Sequence, residues 1–96
     1  MQLPADASVD KAAALAALLP DALAQSGSGA WRIDASGLQH LDSATIALLM
    51  QARRLAQAAG HGFEVTGAPA KLRQLATLYG VQELLGLHTD GPAAAG

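Results

Sequence analysis

Ile33-Asp34-Ala35-Ser36-Gly37-Leu38-Gln39-His40-Leu41-Asp42-Ser43-Ala44-Thr45-Ile46-Ala47-Leu48-Leu49-Met50 is the stretch on which the fold turns. Its first residues complete a short apolar run, Ala30-Trp31-Arg32-Ile33-Asp34, that reads as a strand. A polar turn follows, in which Asp34 ends the strand and holds Ala35-Ser36-Gly37 through its side chain. The chain then enters a helix that opens on Asp42-Ser43. The first N–H groups of a helix have no intrahelical partner, so these two residues sit where a capping oxygen, or an added phosphate, is favoured.

Outward from this point, the second helix is expected from Ser43 to Ala59, stopped by Gly60, because glycine accepts the left-handed C-terminal position. His61-Gly62 turns the chain into a strand at Phe63-Glu64-Val65-Thr66. Gly67-Ala68-Pro69 starts a third helix with Pro69 in its first turn, Leu72, Leu75, Ala76 and Tyr79 on its apolar face and Gly80 at its end. Val81 to Leu85 reads as a short final helix closed by Gly86, and residues 87–96 read as a frayed, flexible C-terminal tail beyond a single domain of residues 1–86. Upstream, Ser8 is the expected N-cap of a first helix whose stripe is Ala12, Leu15, Leu18, Leu19, Ala22 and Leu23. Pro20 predicts a kink or break near Leu19, since it removes an interior hydrogen bond and crowds the preceding turn. Gln25-Ser26-Gly27-Ser28-Gly29 is a flexible turn.

Strands that alternate with amphipathic helices imply an α/β layer, because each crossover helix returns the chain parallel to the strand before it. With 96 residues there is room for one modest core. The apolar fraction of 51% rests on Ala and Leu, with one Trp, one Tyr and one Phe, so the interior is aliphatic and a stacking platform for bases is lacking. A net charge of −2, with Arg53-Arg54 as the close basic pair, gives no nucleic-acid footprint. Zero cysteines exclude disulfides and thiolate chemistry, in keeping with a reducing, cytoplasmic compartment. No apolar run approaches the roughly 20 residues a membrane span needs, and Met1-Gln2-Leu3-Pro4 has no signal-peptide character.

Catalytic and cofactor motifs are missing as well. No G-x-x-x-x-G-K-[ST] loop or dinucleotide fingerprint occurs, and no G-x-S-x-G elbow surrounds a serine. His40, His61 and His88 lie in separate loops without the spacing of a metal site and are expected to be solvated. Neither a cofactor nor a metal is expected. On a 100° wheel, Ala44, Leu48, Ala52, Leu55 and Ala59 of the second helix fall on one side, assigned to the sheet, and Ile46, Met50, Arg53, Arg54 and Gln57 on the other. Large apolar residues beside two arginines on an outer face have the composition of a protein-binding patch. The candidate partner-binding set is therefore Asp42, Ser43, Ile46, Ala47, Met50, Arg53 and Arg54, with Ser43 doubling as a possible phosphorylation or switch position.

Three segments in order, Ile33-Asp34-Ala35-Ser36, Leu41-Asp42-Ser43-Ala44-Thr45-Ile46-Ala47-Leu48-Leu49 and Leu75-Ala76-Thr77-Leu78-Tyr79-Gly80-Val81, resemble the STAS domain family, and within it the MlaB-like branch. The resemblance spans roughly residues 8 to 86. It implies a mixed β-sheet with helices packed on it. This chain offers only about Met1 to Pro4 for strand ahead of the first helix, so a short N-terminal edge is expected. It also implies a non-enzymatic accessory subunit bound to the ATPase of an ABC-type phospholipid transporter, cytoplasmic and touching the inner membrane only through that complex. In the branch of anti-sigma-factor antagonists, the implied alternative, the phosphorylated serine matches the position of Ala44; the MlaB-like pattern keeps a hydroxyl residue at Ser43, on the surface that meets the ATPase.

Overall fold

The computed structural model describes residues 1–27 and 29–86. Five elements follow in order: α1 (Val9–Gln25), β1 (Trp31–Asp34), α2 (Ser43–Ala58), β2 (Phe63–Thr66) and α3 (Ala70–Leu78). β1 and β2 pair in parallel, Trp31 opposite Phe63 and Asp34 opposite Thr66. The expected short N-terminal edge is present. Leu3 donates its N–H to the Asp34 carbonyl at 2.8 Å and Asp34 donates back to the Met1 carbonyl at 2.8 Å, which lays Met1–Leu3 parallel along the outer side of β1. The pairing resumes at Asp6 and His40, so this N-terminal stretch also braces the loop that leads to α2.

The N-terminal stretch, β1 and β2 lie side by side in chain order, and the right-handed rule for parallel crossovers puts the connecting helices α1 and α2 on the same face of the sheet. The two helices pack directly on each other, and α2 also touches α3. Strand alternation follows from this. Trp31 and Ile33 are buried beneath the helices, whereas Arg32 points to the uncovered face and pairs with Glu64, its neighbour in the register. Leu15, Leu19 and Leu23 of α1, Leu48 and Leu49 of α2, Val65 and Leu72 complete the core, each large aliphatic side chain contributing about 1.5–3 kcal/mol by leaving water. Trp31 meets Phe63 edge to face, with ring centroids 6.1 Å apart.

Several sequence expectations are corrected here. Of the kink or break expected near Leu19, no break occurs, since α1 continues through Pro20. Pro20 is exposed, while Leu19 and Leu23, both buried, anchor the helix on both sides of it. Leu18, placed on the apolar stripe, is exposed. Val81–Leu85 forms turns rather than a helix, held by Leu85 N–H to the Val81 carbonyl at 3.0 Å and Gly86 N–H to the Glu83 carbonyl at 3.1 Å; five residues are too few to offset helix nucleation. Tyr79 is half exposed rather than on the buried face of α3, where Leu72 and Ala76 are buried. α2 ends at Ala58 and α3 begins after Pro69, each one residue from expectation. The glycine stops do hold: at Gly60, φ is 79°, its N–H reaches the Gln57 carbonyl at 3.0 Å and that of His61 the Ala56 carbonyl at 2.8 Å, the two bonds of a Schellman cap. His88 and the tail of residues 87–96 lie outside the described residues.

Candidate functional site

Asp42 takes the N-cap position of α2, in extended conformation. Its Oδ1 accepts the Ala44 N–H at 2.9 Å, and its own N–H donates to Thr45 Oγ1 at 3.1 Å, so Asp42 and Thr45 satisfy one another's helix end. The second carboxylate oxygen reaches further. Oδ2 accepts the N–H of Val9 at 3.1 Å, the first residue of α1 and 33 positions away. One carboxylate thus caps two helices whose positive ends meet, an arrangement that favours a negative charge between them. Thr45, fully buried, completes the junction by donating its hydroxyl to the Ala7 carbonyl at 2.7 Å.

Ser8, the expected cap of α1, occupies the N-cap place but makes no side-chain cap. Its hydroxyl donates instead to Asp6 Oδ1 at 2.6 Å, and its N–H to the same oxygen at 2.9 Å. An N-cap side chain reaches the N–H of the second or third helical residue, and the N–H of the first, Val9, is the one that Asp42 takes. These bonds from Ser8, side chain first and backbone second, hold the Asp6 carboxyl below its ordinary range. Asp34 repeats the motif after β1: its Oδ1 accepts the Ser36 N–H at 2.9 Å, as the turn reading anticipated, and hydrogen bonding from the Ser36 side chain and backbone lowers its pKa too.

With both capping tasks taken by Asp42, Ser43 is exposed and its hydroxyl has no hydrogen-bond partner among the described residues. Down the helix from it, Ala47, Gln51 and Arg54 are exposed at successive turns, flanked by half-buried Met50 and Arg53. Ile46 is not on this face. It is 6% exposed and belongs to the core with Thr45, Leu48, Leu49, Ala52 and Ala56. The wheel reading was turned by about a quarter of a revolution, because α2 is wedged between α1 and α3 and packs its Thr45–Leu49–Ala56 side inward. Ala59, assigned to the sheet side, is exposed, and Leu55 is half-buried.

Two of the residues that the wheel gave to the sheet, Ala44 and Leu48, line a groove between α1 and α2. Ala12, Ala13 and Ala16 of α1 and Ala44, Ala47 and Leu48 of α2 form its floor, Gln51 and Arg54 its wall, around a volume of about 270 Å³. Sequence reasoning missed the α1 half. The signal was present in the run of alanines at i, i+1 and i+4, small residues on the rim of an otherwise leucine-bearing helix. A second, more polar cleft of about 390 Å³ opens at the carboxyl end of the strands between Asp6, Asp10, Gln39, His40 and Lys71. His61 lies elsewhere, its Nδ1 2.7 Å from the Gly29 carbonyl oxygen. Among the described residues no three His, Asp or Glu side chains are grouped to hold a metal, and no helix is long and apolar enough to cross a membrane.

The α/β topology, the polar turn after β1 and the Asp-capped start of α2 match what the sequence resemblance implies. No curated protein and no solved structure gives a match. The family model described as Mlab, STAS domain matches residues 1–86. STAS domains are in general non-enzymatic modules that mediate protein–protein contact, and this chain belongs to the MlaB-like STAS family.

Proposed function

We propose that this chain is the STAS accessory subunit of an ABC-type phospholipid transporter of the kind that maintains outer-membrane lipid asymmetry, and that it docks on the transporter ATPase through the exposed start of α2. The observation that carries this reading is the division of labour at the helix end. Asp42 meets the capping need of both helices, so Ser43 is left exposed on a fixed platform. Ala47, Met50, Arg53 and Arg54 extend the contact along the helix, Ile46 supports it from within the core, and Asp42 holds it in place. The subunit sits in the cytoplasm and reaches the inner membrane through the complex. It contributes by binding one assembled state of the ATPase more tightly than the others, which shifts the population toward that state; the nucleotide chemistry stays with the partner.

The test compares Ser43→Asp with Ser43→Ala in co-purification with the ATPase, alongside thermal melts. Both variants keep the Asp42 cap and fold as the wild type does, the aspartate being favoured at a helix N-terminus. Ser43→Asp is expected to lose the ATPase and Ser43→Ala to retain most of the binding. Normal binding by both removes Ser43 from the interface. A second reading, an anti-sigma-factor antagonist or signalling module switched by phosphate, is favoured by one feature, the unbonded and exposed Ser43 hydroxyl. Incorporation of phosphate at Ser43 by a cognate kinase, with no association with an ABC ATPase, decides for it.

A further inference from the structure

Residues 1–7 hold the approach to α2 and are themselves held lightly. The Ala5 carbonyl accepts two N–H groups at once, from Gln39 at 2.7 Å and from His40 at 2.8 Å, and Ala7 donates its own N–H to the His40 carbonyl at 2.9 Å. Gln39 and His40 have no other backbone partner among the described residues. Leu38 and Leu41 are buried and hold the loop down, but the course of its backbone between them is set from Ala5 and Ala7. Just beyond, Asp42 and Ser43 begin α2. The place of that helix end is thus conditional on a segment that belongs neither to the β1–β2 ladder nor to any helix.

That segment can leave without unmaking the rest. Of its side chains only Leu3 and Ala7 are buried, while Gln2, Pro4 and Ala5 are exposed. Its release breaks bonds to β1, to the loop and to Thr45, but none inside a helix and none between β1 and β2. Stretches with few buried apolar contacts and exposed backbone bonds open at a lower free energy than the whole domain unfolds. The bonds from β1 and the loop are made by backbone groups, which almost any sequence supplies. The bond from α2 is made by a side chain. The fully buried Thr45 hydroxyl donates to the Ala7 carbonyl at 2.7 Å while it accepts the Asp42 N–H at 3.1 Å. One oxygen therefore ties the segment both to the first turn of α2 and to the residue that caps two helices. Without it the Ala7 carbonyl is buried and unpaired, a penalty that opening relieves by admitting water.

We infer that residues 1–7 form a releasable strap, latched by the Thr45 hydroxyl, whose docking fixes the Asp42–Ser43 end of α2. Strap and helix end are linked, so whatever stabilises one in its docked arrangement stabilises the other by the same amount. The device is internal to the chain and independent of which partner meets Ser43. Its test is native-state hydrogen exchange, followed residue by residue by NMR on the full-length chain. The amides of Leu3, Ala7, Gln39 and His40 are expected to share one protection factor, about tenfold or more below those of Leu49 and Ala52 in the middle of α2. Thr45→Val keeps the shape of the side chain and removes its hydroxyl. It is expected to speed exchange at those four strap and loop amides about tenfold more than at Trp31 and Ala35, whose N–H groups bond to Gly62 and Thr66 across the ladder. Thr45→Ser retains the hydroxyl and is expected to keep the protection. Strap amides as slow as those of Leu49 and Ala52 would show that the strap opens only with the whole domain, and overturn the inference on the wild type alone. Equal acceleration at every amide in Thr45→Val, or a Thr45→Ser variant that exchanges as the valine variant does, overturns the latch.

Discussion

Replacing Asp42 by alanine should destabilise two helices at once. The carboxylate accepts the Ala44 N–H at 2.9 Å through Oδ1 and the Val9 N–H at 3.1 Å through Oδ2. Loss of one N-cap costs typically about 1 kcal/mol, within a range of roughly 0.5–2. The bond to Val9 is exposed, so water replaces part of it and its share lies at the low end. The junction as a whole is therefore worth about 1.5–2.5 kcal/mol. For a chain of this size each kcal/mol moves Tm by about 4–8 °C, which gives a fall of the order of 10 °C. Asp42→Asn keeps one oxygen acceptor and forfeits the other, so it should lose about half as much. Urea unfolding with an unchanged m value supplies the free energies, and the amide chemical shifts of Val9 and Ala44 report which helix end has lost its acceptor. A loss below about 0.5 kcal/mol for the alanine variant, or an amide shift confined to Ala44, refutes the shared cap.

Ile46→Glu should unfold the domain by several kcal/mol, since the side chain is 6% exposed and its carboxylate would have no partner, whereas Ala47→Glu, one residue on and exposed, should melt within about 0.5 kcal/mol of wild type; equal melts for the two would show that the inward face of α2 is misassigned. Asp6 and Asp34 should titrate below the ordinary aspartate range, because hydrogen bonds from Ser8 and Ser36 favour the charged form. With the folded values depressed, their stabilisation is complete above that range and is lost as pH falls through it. Ser8→Ala should return Asp6 toward the ordinary value, read by carboxyl NMR titration, and an unmoved Asp6 would refute the Ser8 contribution.

What was legible in the chain was local. The strand–turn–helix at Asp34 to Ser43 and the glycine stops at Gly60 and Gly80 all follow from groups within a few residues of one another, and all are present. The errors came from contacts made at a distance. Nothing near Ser8 announces that α1 will be capped by a carboxylate 33 residues downstream. The inward turn of Ile46 depends on the position of α2 between α1 and α3, which a wheel drawn for one helix against one sheet does not contain. Pro20 does not break α1 for the converse reason: its penalty is local, while Leu19 and Leu23 are held in the core on both sides of it. Likewise the groove belongs to neither helix alone: Ala47 and Arg54 were read as outward on α2, and the rest of its lining follows only once α1 is laid beside α2.

The N-terminal edge of the sheet bears on how this protein can associate at all. Leu3 turns its N–H toward β1, and strand alternation therefore aims the backbone nitrogens of Gln2 and Pro4 outward. At Pro4 that nitrogen carries no hydrogen, so an incoming strand meets a gap in the ladder after a single donor. Addition of foreign backbone to this edge, an interaction indifferent to side-chain identity, is thereby discouraged. Pro4 thus limits the one interaction that would ignore side-chain identity, and leaves selectivity to surfaces on which side chains are presented.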